Sequence, residues 1–178
     1  MTTDEFDLHK ASTLSPYIGQ DFLTWLWFKT ETGGGLFRLS SEDQVGVHME
    51  QRISVQGGEG ETKDTATSSG PQSELTEARL GLRTGKKVTQ ARLRIEEDEN
   101  AWQLQLKAED FSISSLKTPK VDMRLEEGED PDARFLEKMF LIDKALQVVD
   151  ELFARFVRLR FSADWQTELT AIRNWVNS

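Results

Sequence analysis

"GQDFLTWLWFKTETGGG", residues 19–35, carries apolar side chains on almost every side of whatever element it forms. As a strand it sets Leu23, Trp25 and Trp27 on one face and Phe22, Leu26 and Phe28 on the other. As a helix, at about 100° per residue, the same residues run nearly all the way round the axis. The helix is the better reading. Asp21 stands where an N-cap should, Lys29 falls in the last turn, and Gly33 to Gly35 supply a stop. A helix apolar all round is buried on several sides or shared with another subunit. Phe22, Trp25, Trp27 and Phe28 are therefore candidate partner-interface residues, against the plainer reading of a central core helix in a small α+β domain.

Outward from this helix, residues 1–20 read as a polar, irregular lead-in interrupted by Pro16. "LFRL" and "QVGVHMEQRISV" follow with period-2 alternation, Val45, Val47, Met49, Ile53 and Val55 on one side and His48, Glu50 and Arg52 on the other. Residues 56–73 hold no large apolar side chain and read as a flexible loop. A short helix from Ser73 to Gly85 leads into a hairpin. Its strands point Ala91, Leu93, Ile95, Trp102, Leu104 and Leu106 inward, and Gln90, Arg92, Arg94, Gln103, Gln105 and Lys107 outward.

The longest periodic segment begins at residue 130. Asp130 caps it, Pro131 occupies the first helical position, and Phe135, Met139, Ile142, Leu146, Val149, Phe153 and Phe156 repeat at intervals of 4, 3, 4, 3, 4 and 3. This pattern requires a sheet or another helix to cover it. A last helix follows from Ser162, with Trp165, Leu169, Ile172 and Val176 on one side. The expected fold is α+β: an antiparallel sheet covered by the long C-terminal amphipathic helix, with shorter helices around it. The organisation divides into the lead-in 1–20, an α+β domain 21–160 and a C-terminal helix 161–178.

The 178 residues suffice for one core. Uninterrupted apolar runs such as Leu26 to Phe28 fall far short of the roughly 20 residues a membrane helix needs, and the N-terminus lacks signal-peptide order, so a cytoplasmic protein without membrane partner is expected. The lack of cysteine removes disulfides, thiolate zinc sites and cysteine nucleophiles. A net charge of −9 repels polyanions at long range, so any nucleic-acid role must come from a local patch. Residues 78–95 offer one: Arg79, Arg83, Lys86, Lys87, Arg92 and Arg94 with no acid among them, ahead of "EEDE". A solvated basic face balanced by those acids is the plain alternative.

Other motifs fall away. "GLRTGKK" is one residue too short between its glycines for a phosphate loop, and Lys87 follows Lys86 where Ser or Thr should stand. Ser114 to Lys117 matches an acylating S-x-x-K without its companion motifs. The acidic run from Glu126 to Asp132 has the wrong order for a calcium loop.

"EARLGLRTGKKVTQARLRI", "AWQLQLKAEDFSISSLKTPK" and "DPDARFLEKMFLIDKALQVVDELFARFVRLR", in that order, resemble the C-terminal half of RdgC, bacterial recombination-associated DNA-binding proteins. "FLTWLWFKTETGGGLFRL" resembles the opening of the same half, so the similarity spans roughly residues 20 to 160. No single motif decides it. The resemblance implies sequence-independent binding of double-stranded DNA by a toroidal homodimer and modulation of RecA-dependent strand exchange. It implies a nucleoid-associated, non-catalytic protein of bacterial or phage origin, with no cofactor and no small-molecule substrate. Lys86, Lys87, Arg92 and Arg94 fall in the matching hairpin region. The chain differs from the family in its acidity and in lacking an N-terminal half of similar size. A second reading is an acidic protein-interaction module that keeps the fold without DNA binding and docks a recombination or replication protein. A hydrolase is disfavoured because no metal-binding carboxylates or nucleophile with its base assemble in the sequence.

Overall fold

A computed structural model describes residues 17–57, 64–70 and 76–178, apart from the side chains at 51–56, 64–70 and 76–77. The expectations placed on residues 1–16 and on the start of the second helix at Ser73 lie outside it. The chain runs α1 (Ile18–Thr32), β1 (Leu36–Arg38), β2 (Gln44–Gly57), β3 (Asp64–Gly70), α2 (Thr76–Arg83), β4 (Lys87–Glu97), β5 (Asn100–Lys107), β6 (Ile113–Lys117), α3 (Pro131–Arg160) and α4 (Trp165–Asn177). The α+β expectation holds: a six-stranded sheet with every pairing antiparallel, in the order β1-β2-β4-β5-β6, with β3 also on β2.

β2 is long enough to be paired twice along one edge. Gln44 to Gly46 take β1, Gln51 to Gly57 take β3, and β4 occupies the other edge. The region read as a loop thus contains a strand. Its Thr and Ser residues suit extended backbone, and the free edge of β2 supplies the hydrogen bonds that burial of large side chains does not. The hairpin of β4 and β5 matches its alternation, with Ala91, Leu93, Ile95, Trp102, Leu104 and Leu106 all buried.

Helix α1 lies on that apolar face. It starts four residues earlier than an Asp21 cap would place it, at Ile18, so Asp21 sits in the first turn and does not cap. The early start is possible because Gly19 rests on the end of β5: a β-carbon there would lie 1.9 Å from the carbonyl oxygen of Ala108. Three covers enclose α1. The sheet takes one side; Phe153 and Phe156 of α3 meet Phe22 at ring-centroid distances of 5.2 and 5.6 Å; Trp175 of α4 packs edge-on against Trp27 at 5.3 Å. Three indole N–H groups in this enclosure donate to carboxylates. Trp25 donates to Glu168, while Trp27 and Trp175 both donate to the carboxylate of Glu31. Helix α4, read as a separate tail, shares this core through Trp165, Ile172 and Trp175.

Helix α3 departs from its expected role along half its length. Asp130 caps it as expected, accepting from the Asp132 N–H. Its buried residues, however, run only from Ala145 to Val157, and from 131 to 140 every residue except Arg134 is exposed. Thirty residues of helix measure about 45 Å, while the eight of β5 span about 27 Å. The N-terminal half overhangs the sheet. Where the overhang begins it is tied down: Trp102 donates to the Leu141 carbonyl, and Lys144 pairs with Asp43 and Glu97 at 3.0 and 3.1 Å.

Gly19→Ala should lower the unfolding free energy by about 2–3 kcal/mol, because the new methyl meets a backbone carbonyl that no rotamer change can move aside. Urea unfolding followed by tryptophan fluorescence checks this, and an unchanged midpoint would count against the close approach.

Candidate nucleic-acid interface

The six basic residues expected to act together are divided by the fold among three places. Arg79 and Arg83 lie on α2 and are taken up by α4. Arg79 donates to the Trp175 carbonyl and to Ser178 Oγ, approaches Glu31 at 3.6 Å and stacks its guanidinium 4.9 Å from the Trp175 ring centroid. Arg83 donates to the backbone oxygens of Val176 and Ser178. These contacts make Arg79 a clasp between α1, α2 and α4. Lys86 and Lys87 follow the turn that ends α2, and Lys87 lies 3.7 Å from Asp21 of α1.

Only Arg92 and Arg94 stand on the sheet face turned away from the core, where no described helix packs. The register shows what accompanies them. His48, Arg94, Gln103 and Lys117 form one row across β2, β4, β5 and β6; Glu50, Arg92, Gln105 and Ser114 form the next; Gln90 and Lys107 pair beyond. Directly opposed residues on antiparallel strands point to the same side, so Lys107 and Lys117 join the two arginines.

Two acids temper this face. Arg94 donates to Glu96 and to Glu50, and the hydrogen bond to Glu96 is the main cause that holds its guanidinium pKa above the ordinary value. Glu50 also accepts from the Gln103 amide at 2.7 Å. Arg92, although opposite Glu50 in register, makes no ion pair with the described residues. The face therefore carries Arg92, Arg94, Lys107 and Lys117 against Glu50 and Glu96. Lys107 was legible as an outward residue of β5. Lys117 was not, because its partner Gln103 follows from the irregular β5–β6 register, shifted between Gln103 and Gln105.

The residues expected to meet a partner do not reach the surface. Phe22 and Trp27 are completely buried, and Trp25 and Phe28 nearly so, all within one chain. The reason is the threefold cover of α1. Exposed apolar side chains follow one another on the overhang of α3, where Phe135, Leu136 and Phe140 are 57%, 62% and 68% exposed, while others, such as Leu36 and Met123, lie on other elements.

Among the described residues, no three histidine or carboxylate side chains converge as metal ligands, and no helix is long and apolar enough to cross a membrane. Comparison of the chain with family models, curated proteins and solved structures gives no match.

Arg79→Met should cost roughly 1–2 kcal/mol of stability, the scale of a partly exposed charged hydrogen-bond cluster. The same substitution should leave any DNA affinity unchanged. Thermal unfolding and anisotropy on one preparation separate the two effects; loss of DNA binding without loss of stability would return Arg79 to the interface.

Proposed function

We propose that this protein is a non-catalytic module that holds double-stranded DNA by its phosphates on the open face of the sheet, without reading sequence. One observation carries the proposal: in a molecule of net charge −9, a sheet face on which no described helix packs carries, among the described residues, four cations, three glutamines and two acids. Arginine, lysine and glutamine side chains on a flat array donate hydrogen bonds to phosphate oxygens, and the absence of aromatic residues there suits backbone contact over base stacking. The net charge of −9 repels the duplex at long range, so binding at this face is weak at physiological salt. The recombination setting is supported by the resemblance of residues 20 to 160 to RdgC sequences.

Fluorescence anisotropy with a short labelled duplex across a salt series tests the reading. Contact with about four phosphates gives a log–log slope of roughly −3 to −4. The double substitution Arg92→Glu/Lys107→Glu should reduce affinity at least tenfold at low salt without altering the thermal midpoint. A wild-type chain that fails to bind at low salt would overturn the proposal.

A second reading, contact with protein, is favoured by the α3 overhang. Phe135, Leu136, Met139, Phe140 and Leu146 together expose roughly 500 Å², so two copies pairing there would bury about 1,000 Å², the lower bound of a specific interface. The helix surface between 131 and 146 holds three acids and three bases, so it does not share the repulsion of the whole molecule. The occupant of this reading is a second copy of the chain. Sedimentation equilibrium should show a dimer at micromolar concentration that Leu136→Ser/Phe140→Ser converts to monomer with stability retained; a monomeric wild type removes this reading.

A further inference from the structure

A cleft of about 320 Å³ opens between α1, the end of α2 and α4, on the helical side of the molecule and away from the sheet face described above. Its floor is apolar, made by Leu82, Trp165, Leu169, Ile172 and Val176. Its rim is cationic: Arg83, Lys86, Lys87 and Arg173 converge on it. The geometry follows from the end of α2. Gly85, at φ +85°, turns the chain back so that the two lysines after it face α4. The stretch that fails as a phosphate loop thus brings its lysines to a helix C-terminus.

One carboxylate, Asp21, also lines the cleft, and its charge is already shared between Lys87 at 3.7 Å and Arg160 at 3.4 Å. Arg83 is held at the rim by backbone oxygens of α4, and Arg173 makes no hydrogen bond or ion pair with the described residues. Among the described residues, Arg83, Lys87 and Arg173 face the single acid Asp21, an excess of positive charge at this rim in a chain of net charge −9.

We infer that this cleft binds a small amphipathic anion: a single carboxylate or phosphate head on a short alkyl or single-ring body. The head neutralises the rim and the body displaces water from the floor, and each part needs the other. A bare inorganic anion leaves the floor wet, and a neutral alkyl chain leaves the rim charges uncompensated. A duplex is far too wide for a space of this volume, which separates this site from the sheet face.

Isothermal titration calorimetry of the full chain with octanoate, octyl phosphate, octan-1-ol and inorganic phosphate provides the test. One octanoate or octyl phosphate per chain should bind, with octan-1-ol and inorganic phosphate at least tenfold weaker; preference for one anionic head over the other identifies the head group. Arg173→Glu, at an exposed position, should weaken binding at least tenfold. Leu169→Trp should abolish binding by filling the floor, with folding checked by thermal unfolding. Phe140→Ser should leave octanoate affinity unchanged, which separates the cleft from the apolar overhang, and Arg92→Glu/Lys107→Glu should weaken DNA binding at least tenfold while leaving octanoate affinity intact. Absence of saturable binding, equal affinity for octan-1-ol, or octanoate binding that survives Arg173→Glu would overturn the inference.

Discussion

The enclosure of α1 organises this molecule. A helix with aromatic and aliphatic side chains around its whole circumference cannot rest on a sheet alone, because a sheet covers one side only. The second cover comes from the C-terminal half of α3 and the third from α4, and the space between them is filled by aromatic rings meeting at 4.3 to 6.5 Å. Three indole N–H groups enter this apolar region, and buried donors without partners would be costly. Glu31 and Glu168 stand at its margin to accept them. Glu31 then draws Arg79, and with it α2, onto the same assembly.

Gathering the helices on one side has an electrostatic result. The opposite face of the sheet is left to polar side chains, and the register decides which ones meet. Glu50 faces Arg92 across the strands yet bonds with Arg94 and Gln103, so the acids on this face fasten some donors and leave others available. On the helical side, the basic stretch that continues from α2 into β4 turns toward α4. A linear cluster of positive charge becomes two separate positive surfaces and one structural clasp.

Much of this architecture is legible in the residues. Period-2 alternation identifies the β4–β5 hairpin because its two faces differ sharply in polarity. Asp130 and Pro131 announce the start of α3. Three features are not legible, each for a physical reason. β3 has no large apolar side chain, and its pairing depends on the unpaired edge of β2, which lies in another part of the chain. The overhang of α3 keeps the same 4-3 apolar spacing as the buried half, so nothing local marks where the sheet beneath it ends. The division of the basic residues depends on the turn at Gly85 and on the docking of α4, both tertiary facts. The most apolar segment suggests an interface by its sequence, but it is also the segment a single domain encloses.

Trp175, which closes the third side of α1, stands 144 residues after Glu31, the acid that receives its indole. Translation delivers these groups in sequence order. At about 5–20 residues per second, the tryptophan-rich helix leaves the ribosome roughly 7 to 30 seconds before its final cover is synthesised. During that interval the β-strands can pair locally, but α1 has no complete shelter. Burial of the tryptophan-rich helix is therefore completed only once the last helix of the domain has been synthesised.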